Sequence, residues 1–336
     1  MTRNKSPNPD KTGPNRIGAV VIGRNEGQRL INCLASMKGE ARVVIYVDSG
    51  STDESVAEAR KVGAEVVELD TTTPFTAARA RNAGFQALMA RPDAPDYVQF
   101  VDGDCTLEPG WITHAAAFLD DNGDVGIVTG WRAELHPEAS VYNAMCDFEW
   151  HRPAGDIHAC GGDMMVRTDL FEQVGGFNPR VIAAEDDEFC IRIRKSGHRV
   201  HRLPIPMTHH DANMHSFGQW WQRAIRSGHG FAQVGDLHPD HFRGERRRMW
   251  LYGAILPLFG IIGMVLFWPL LALVLAAYGL SYLRTVQGLL RAGMALRPAL
   301  HHSVLLSLSK FPNLSGAMTY HKRKRRGWDM EIIEYK

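Results

Sequence analysis

The amino-acid sequence predicts an α/β protein with a mostly parallel central sheet, followed by C-terminal membrane-associated helices. Two observations carry this expectation. Between Ile17 and Thr129, short β-branched runs alternate with helix-length segments, the pattern of βαβ units. From Trp250 to Leu283, the chain contains no Asp, Glu, Lys, Arg or His.

The N-terminal stretch "MTRNKSPNPDKTGPNR" is polar and rich in Pro and Asn. It has no apolar h-region, so no signal peptide is expected and 1–16 reads as a disordered leader. The runs "IGAVVI", "RVVIYV", "EVVEL", "YVQFV" and "VGIVT" then read as strands. The helix after the first of them places Leu30, Leu34 and Met37 on one face and stops at Gly39. After the second, Ser51 and Glu54 stand at capping-box spacing and mark a helix start. From Ala133 to about Gly235, aromatics, histidines and glycine pairs suggest a second half on the same sheet. The 336 residues suffice for such a domain with a real core.

With 38 Lys+Arg against 37 Asp+Glu, the net charge of +1 gives no overall field for nucleic acid. Basic clusters "RGERRR" and "HKRKRR" instead bracket the most apolar region. The five scattered cysteines form no Cys-x-x-Cys pair and read as reduced thiols of a cytosolic compartment.

Ligands of open α/β sheets bind beyond the carboxyl ends of strands, and "GRNE", "DSGSTD" and "DGDC" all fall there. Two carboxylates separated by one glycine repel unless something neutralises them. A hard divalent cation would do so, leaving positions open for phosphate oxygens, although Asp-Gly-Asp is also an ordinary turn.

The ordered motifs "VVIGRNE", "VDSGSTDES", "ARARNAG", "VDGDC", "GGDMMVRTDLFEQVGGF" and "EDDEFCIRIRKSGHRV" resemble those of the family 2 glycosyltransferases, with their GT-A type nucleotide-binding fold. The resemblance covers roughly Ile17 to Gln233. It implies a nucleotide-sugar half at 17–130 and an acceptor half at 131–240. On the donor side it implies Asn25, Glu26, Asp48, Arg81 and Asp102, with Asp48 on the base and Arg81 on the nucleotide. A divalent cation, Mn²⁺ or Mg²⁺, is expected on Asp102, Asp104 and His210, with Asp104 the more direct ligand. Gly161, Gly162, Asp163, Glu185, Trp220 and Trp221 are expected at the acceptor, and Asp186 as the base that takes the acceptor proton. Asp53 and Arg79 read as a helix-start residue and a surface residue.

The resemblance further implies an inverting transfer from a nucleotide sugar, a UDP-sugar before others. Processive relatives carry Gln-x-x-Arg-Trp, whereas "GQWWQRAIRSGHG" spaces Gln219 four before Arg223 with no tryptophan following. That departure predicts one sugar per acceptor. A second departure puts Arg24 where many relatives have a ring that stacks on the base. Two rivals remain: a catalytically silent membrane scaffold, and a sugar-1-phosphate nucleotidyltransferase, which would need a Gly-rich basic loop.

The uncharged run would extend about 51 Å as one helix at about 1.5 Å per residue, against a hydrocarbon core of about 30 Å. Pro257, Pro269, Gly260 and Gly263 allow a break. A transmembrane hairpin or re-entrant element is therefore expected over 249–284, with a buried core helix pair as the alternative. Cations at both ends keep both ends cytosolic at a bacterial inner membrane. The 299–336 segment reads as an interfacial amphipathic helix and basic tail over anionic lipid. Together these suggest a lipid-linked or membrane-delivered acceptor in cell-surface polysaccharide synthesis.

Overall fold

A computed structural model describes residues 16–334. The expected leader lies outside them except for Arg16, whose guanidinium pairs with Asp96 at 2.7 Å and Asp120 at 3.0 Å.

The chain forms nine strands in one sheet: β1 (Ile17–Gly23), β2 (Val43–Asp48), β3 (Glu65–Glu68), β4 (Tyr97–Asp102), β5 (Cys105–Leu107), β6 (Val125–Glu134), β7 (Gly155–Ile157), β8 (Met164–Arg167) and β9 (Arg199–His210). Helices α1 (Gln28–Ser36), α2 (Ser55–Lys61), α3 (Ala77–Met89), α4 (Trp111–Asp121), α5 (Val141–Trp150), α6 (Thr168–Gln173) and α7 (Glu185–Lys195) interleave with them. The strand order is β3-β2-β1-β4-β8-β6-β9-β5, with β7 on β9. The first four are mutually parallel, as their β-branched runs predict. Beyond β4 the sheet turns mixed, because β8 runs antiparallel to both β4 and β6.

Both faces of the sheet are covered. Ala19 and Val21 of β1 point with Leu30, Trp111 and Leu119 into one core, while Val20 and Ile22 point with Phe85, Leu88, Phe100 and Phe177 into the other. The period-two alternation of a strand sends successive side chains to opposite faces. Here both faces need apolar residues, which is why these runs look uniformly hydrophobic in the sequence.

One local expectation fails. Ser51 does not cap α2; the helix starts after Glu54 without a side-chain cap, and the Ser51 hydroxyl donates to Asp48 instead. Asp53 accepts from the Ser55 amide at the helix start, and Arg79 donates to the Thr73 and Asp70 carbonyls.

After β9 the chain is helical: α8 (Phe217–Leu237), α9 (Arg243–Trp250), a π-helical turn (Leu251–Ile255), α10 (Leu256–Leu266), α11 (Trp268–Arg291), α12 (Leu296–Leu308) and α13 (Lys310–Arg326). Arg243–Leu266 and Trp268–Arg291 are each 24 residues and apolar enough to cross a membrane, and little of either is buried. They fold back on each other at Phe267, whose φ of −156° breaks the helix. The arms touch where a side chain on Gly263 would strike the Leu271 backbone.

The segment expected as one interfacial helix is divided at Ser309, and α13 packs against α8. Bare glycines make that contact: a Cβ on Gly228 would lie 2.0 Å from the Asn313 carbonyl oxygen, and one on Gly316 1.9 Å from that of Ile225. Backbones approach this closely only where no Cβ intervenes.

Candidate active site

A cleft of about 830 Å³ opens beyond the carboxyl ends of β1 and β4. Register explains its floor. Gly23 pairs with Asp48 and Ile22 with Asp102, so three strand tips end level.

On the β1–β2 side, Asn25 sits at φ 57° and its side-chain Oδ1 accepts from the Thr52 amide at 2.7 Å. Its own amide donates to the Ser51 hydroxyl at 2.9 Å, locking the two loops together. Glu26 lines the cleft and pairs with Arg29. Asp48 is buried and turned into its own loop, accepting from the Tyr46 hydroxyl, the Gly50 and Ser51 amides and the Ser51 hydroxyl. These four donors occupy the lone pairs that a nucleotide base would use. Ser49, not Asp48, lines the cleft. Arg24 lies 4.7 Å over the Phe75 ring and pairs with Glu334, so residues near the C-terminus reach the cleft mouth.

Arg81 is buried at the centre. One arm reaches Asp102 at 2.6 Å and the other Glu185 at 2.8 Å, so one guanidinium ties the β4 tip to the start of α7. Burial would push the Asp102 carboxyl up, but Arg81 and Arg132 together hold it below the usual carboxylate range. Gly162 admits this guanidinium: a Cβ there would stand 2.0 Å from Arg81 Nη2. Gly161 backs Arg132 in the same way, at 3.1 Å from its Nη2. Asp163 is fully buried and is a hub, pairing with Arg132 at 2.7 Å and accepting from the Asp102 amide and the Thr208 hydroxyl.

Asp102 and Asp104 diverge. Asp102 faces Arg81, while Asp104 faces His210 at 3.3 Å. The second arrangement follows from the antiparallel pairing of β5 with β9, which sets Cys105 opposite His210. The neighbouring His209 pairs outward with Glu108. Ligand atoms of Asp104, Cys105 and His210 lie within 4.8 Å of one another, and His210 Nδ1 is buried without a hydrogen-bond partner among the described residues. A carboxylate and an imidazole suit a Mn²⁺-type cation. Cys105 joins by distance alone, because burial and nearby carboxylates push its thiol well up, and the neutral thiol is a weak ligand.

The acidic run at α7 separates by partner. Glu185 takes Arg81, Asp187 takes His241 at 3.1 Å, and Glu188 takes Arg192 and His238. Asp186 lines the cleft without an ion-pair partner among the described residues, accepting only the Asp187 amide. Burial, then Glu185 and Asp187, push its carboxyl well above the usual range. Trp220 is buried against Tyr142 and Phe217, and Trp221 packs beside it, so neither lines the cleft.

Sequence reasoning missed a group of arginines. Arg132, Arg152, Arg202, Arg223 and Arg226 all line the cleft, with Trp150 among them. The pairing of β6 with β9 brings Arg132 and Arg202 there, and no local motif reports a pairing across that distance.

Residues 19–174 match the family model "Glycosyl transferase family 2", and 140–216 match "N-terminal domain of galactosyltransferase". A pre-mycofactocin glycosyltransferase of Mycobacterium tuberculosis is 26% identical over 245 residues, covering 68% of this chain and 50% of its own length. The chain thus spans about half the length of that relative. An uncharacterized glycosyltransferase of Rickettsia conorii is 43% identical over 58 residues, 17% of this chain and 21% of its own. A mannosyltransferase of Pyrobaculum calidifontis, solved with GDP-Man and Mn²⁺, superposes with a TM-score of 0.59 at 19% identity, covering 93% of this chain and 90% of that one.

Proposed function

We propose, from the premise that residues 19–174 are a glycosyl transferase family 2 domain within a GT-A type fold, that this chain moves one sugar from a nucleotide sugar to an acceptor hydroxyl at a membrane. The observation that carries the reading is that Asp186, without an ion-pair partner among the described residues, lines the same cleft as the Asp104–His210 pair and the Arg81–Asp102 pair.

In this reading the donor lies along the β1 and β4 tips, with Asn25, Glu26, Ser49 and Asp102 lining its side. Asp104 and His210 would hold a divalent cation, Mn²⁺ before Mg²⁺ given the imidazole. When bound, that cation neutralises the departing diphosphate. Asp186 takes the proton of the acceptor hydroxyl as the oxygen attacks the anomeric carbon. The bond from that carbon to the diphosphate oxygen breaks, and its electron pair leaves with the nucleoside diphosphate. Attack from the face opposite the nucleotide inverts the anomeric centre. A raised carboxyl is the better base, since its conjugate acid lies nearer working pH. Glu185 stays paired with Arg81 and positions the helix that carries Asp186.

The helical hairpin supports a setting for this chemistry at a lipid surface. Its tip, Leu266, Phe267 and Trp268, is uncharged and exposed. The turn keeps its backbone bonded, with the Phe267 amide on the Gly263 carbonyl and the Leu270 amide on that of Phe267. Both features suit an element that enters the bilayer and returns, and cations at its base hold catalytic domain and tail on the cytoplasmic side of the inner membrane. A lipid-linked or membrane-delivered acceptor of surface polysaccharide synthesis fits that setting.

Incubating the detergent-solubilised chain with labelled UDP- and GDP-sugars and Mn²⁺ tests this. Release of nucleoside diphosphate with at least one donor is expected. Pyrophosphate-dependent cleavage would favour a nucleotidyltransferase, and no turnover with any donor a silent scaffold.

A further inference from the structure

Most arginines of the cleft are matched to a carboxylate. Arg81 has Asp102 and Glu185, Arg132 has Asp163, and Arg223 has Glu149. Arg202 is different. It is only 9% exposed, yet among the described residues the one hydrogen bond of its side chain runs from Nη1 to the Pro153 carbonyl at 3.2 Å, and its Nε is buried with no partner. It has no ion pair among the described residues. Burying a guanidinium without a counter-charge is costly, and Arg does so where an anion will arrive.

Position tells which anion. Arg202 stands on β9 opposite Thr129 of β6 and Gly155 of β7. It lines the cleft beside Ala159 and Cys160, on the far side of the Arg132–Asp163 pair from the strand tips that carry Asn25, Ser49 and Asp102. Arg152 stands near enough to oppose its charge, and burial together with that neighbour holds the Arg202 guanidinium below its ordinary range. Arg152 is exposed at the rim; its Nε donates to the Glu149 carbonyl and its own carbonyl accepts from Trp131 Nε1.

We propose that Arg202, with Arg152 at the rim, forms an anion subsite on the acceptor wall that takes a phosphoryl group carried by the acceptor. This rests on the transferase reading above and sharpens its substrate class. A guanidinium fork matches two phosphate oxygens, so the subsite would orient the acceptor with its hydroxyl toward Asp186. The rival role for Arg202 is a clamp: by bonding Pro153 it steadies the loop before β7. A clamp would move stability without moving selectivity for a charged ligand.

The test uses the full chain in detergent, with tryptophan fluorescence as readout, since Trp150 lines the cleft. Glycerol 3-phosphate and farnesyl phosphate are titrated beside glycerol and farnesol. Binding of at least one phosphate about tenfold or more tighter than its uncharged partner is expected. Which of the two binds distinguishes a soluble acceptor from a lipid-borne one. Arg202→Gln should abolish the preference, Arg202→Lys should keep part of it, and UDP and GDP binding with Mn²⁺ should stay within about threefold. The proposal falls if neither phosphate outbinds its uncharged partner, if the preference survives Arg202→Gln, or if nucleotide affinity drops alongside it. Should Arg202→Gln fail to fold, Arg152→Gln at the exposed rim serves: a weakened preference supports the subsite and an unchanged one overturns it. Failure of the unmodified chain to bind any nucleoside diphosphate would instead count against the transferase reading, because the phosphate arm is read separately.

Discussion

Replacing Gly162 by alanine perturbs the cleft through a single methyl group. The added Cβ would lie 2.0 Å from Arg81 Nη2 and 2.8 Å from its Cζ, where ordinary contact needs at least 3.4 Å. The guanidinium must retreat, and its 2.6 Å bond to Asp102 opens to a separation of about 4 Å, beyond hydrogen bonding. Breaking one side of a buried ion pair costs about 3–5 kcal/mol. Asp102 keeps 26% of its side chain exposed, which favours the low end, about 3 kcal/mol. For a domain of this size each kcal/mol lowers Tm by about 2–4 °C, so a fall of about 6–12 °C is expected. Calorimetry of the full chain reads it, with nucleotide affinity measured beside it. A double-mutant cycle isolates the cause: once Arg81 is methionine, Gly162→Ala should cost little more. A Tm and nucleotide affinity unchanged by Gly162→Ala would refute the idea that Arg81 is held where the structure places it.

Two further outcomes follow from the same geometry. Excess chelator should abolish transfer and Mn²⁺ restore it, while His210→Ala should raise the Mn²⁺ concentration for half activation about tenfold or more, since one of the converging donors is gone; full activity in chelator would exclude a cation at Asp104 and His210. In a cysteine-free background, a single cysteine at Lys324 should react with a membrane-impermeant maleimide only after cells are opened; labelling of intact cells would mean a single crossing.

The sequence exposed the parts of this account that are local. The five β-branched runs became β1, β2, β3, β4 and β6 because each needs only its own alternation and the helix beside it. The polar motifs met because parallel strands in register end at one edge. What stayed hidden depends on pairing over long separations. Arg132 and Arg202 enter the cleft through the β6–β9 ladder, whereas His210 was reached through the family resemblance and meets Asp104 because β5 pairs with β9. Ser51 shows the opposite failure: its spacing to Glu54 suggested a cap, but the buried Asp48 three residues before it offered the stronger acceptor. Trp220 was expected at the acceptor, with packing beneath the site an equal alternative; α8 turns it into an aromatic cluster with Tyr142 and Phe217.

The central claim is that Asp186 takes the acceptor proton, and the kinetics of Asp186→Asn beside Asp187→Asn test it most directly. Loss of a general base should lower kcat about 10²-fold or more, while donor affinity stays within a few-fold, because the lost interaction forms only in the transition state. The pH profile should agree. Only the ionised carboxylate can act, so activity in the unmodified chain should rise with pH through the raised Asp186 ionisation, at higher pH than an ordinary aspartate would set. Stability runs the other way. A carboxyl whose ionisation is raised on folding costs stability as pH climbs from the ordinary aspartate range to the raised value, so the melting advantage of Asp186→Asn should grow across that window, level off above it and vanish below the ordinary aspartate range. An Asp186→Asn enzyme that keeps its kcat, with the loss falling on Asp187→Asn instead, would contradict the account.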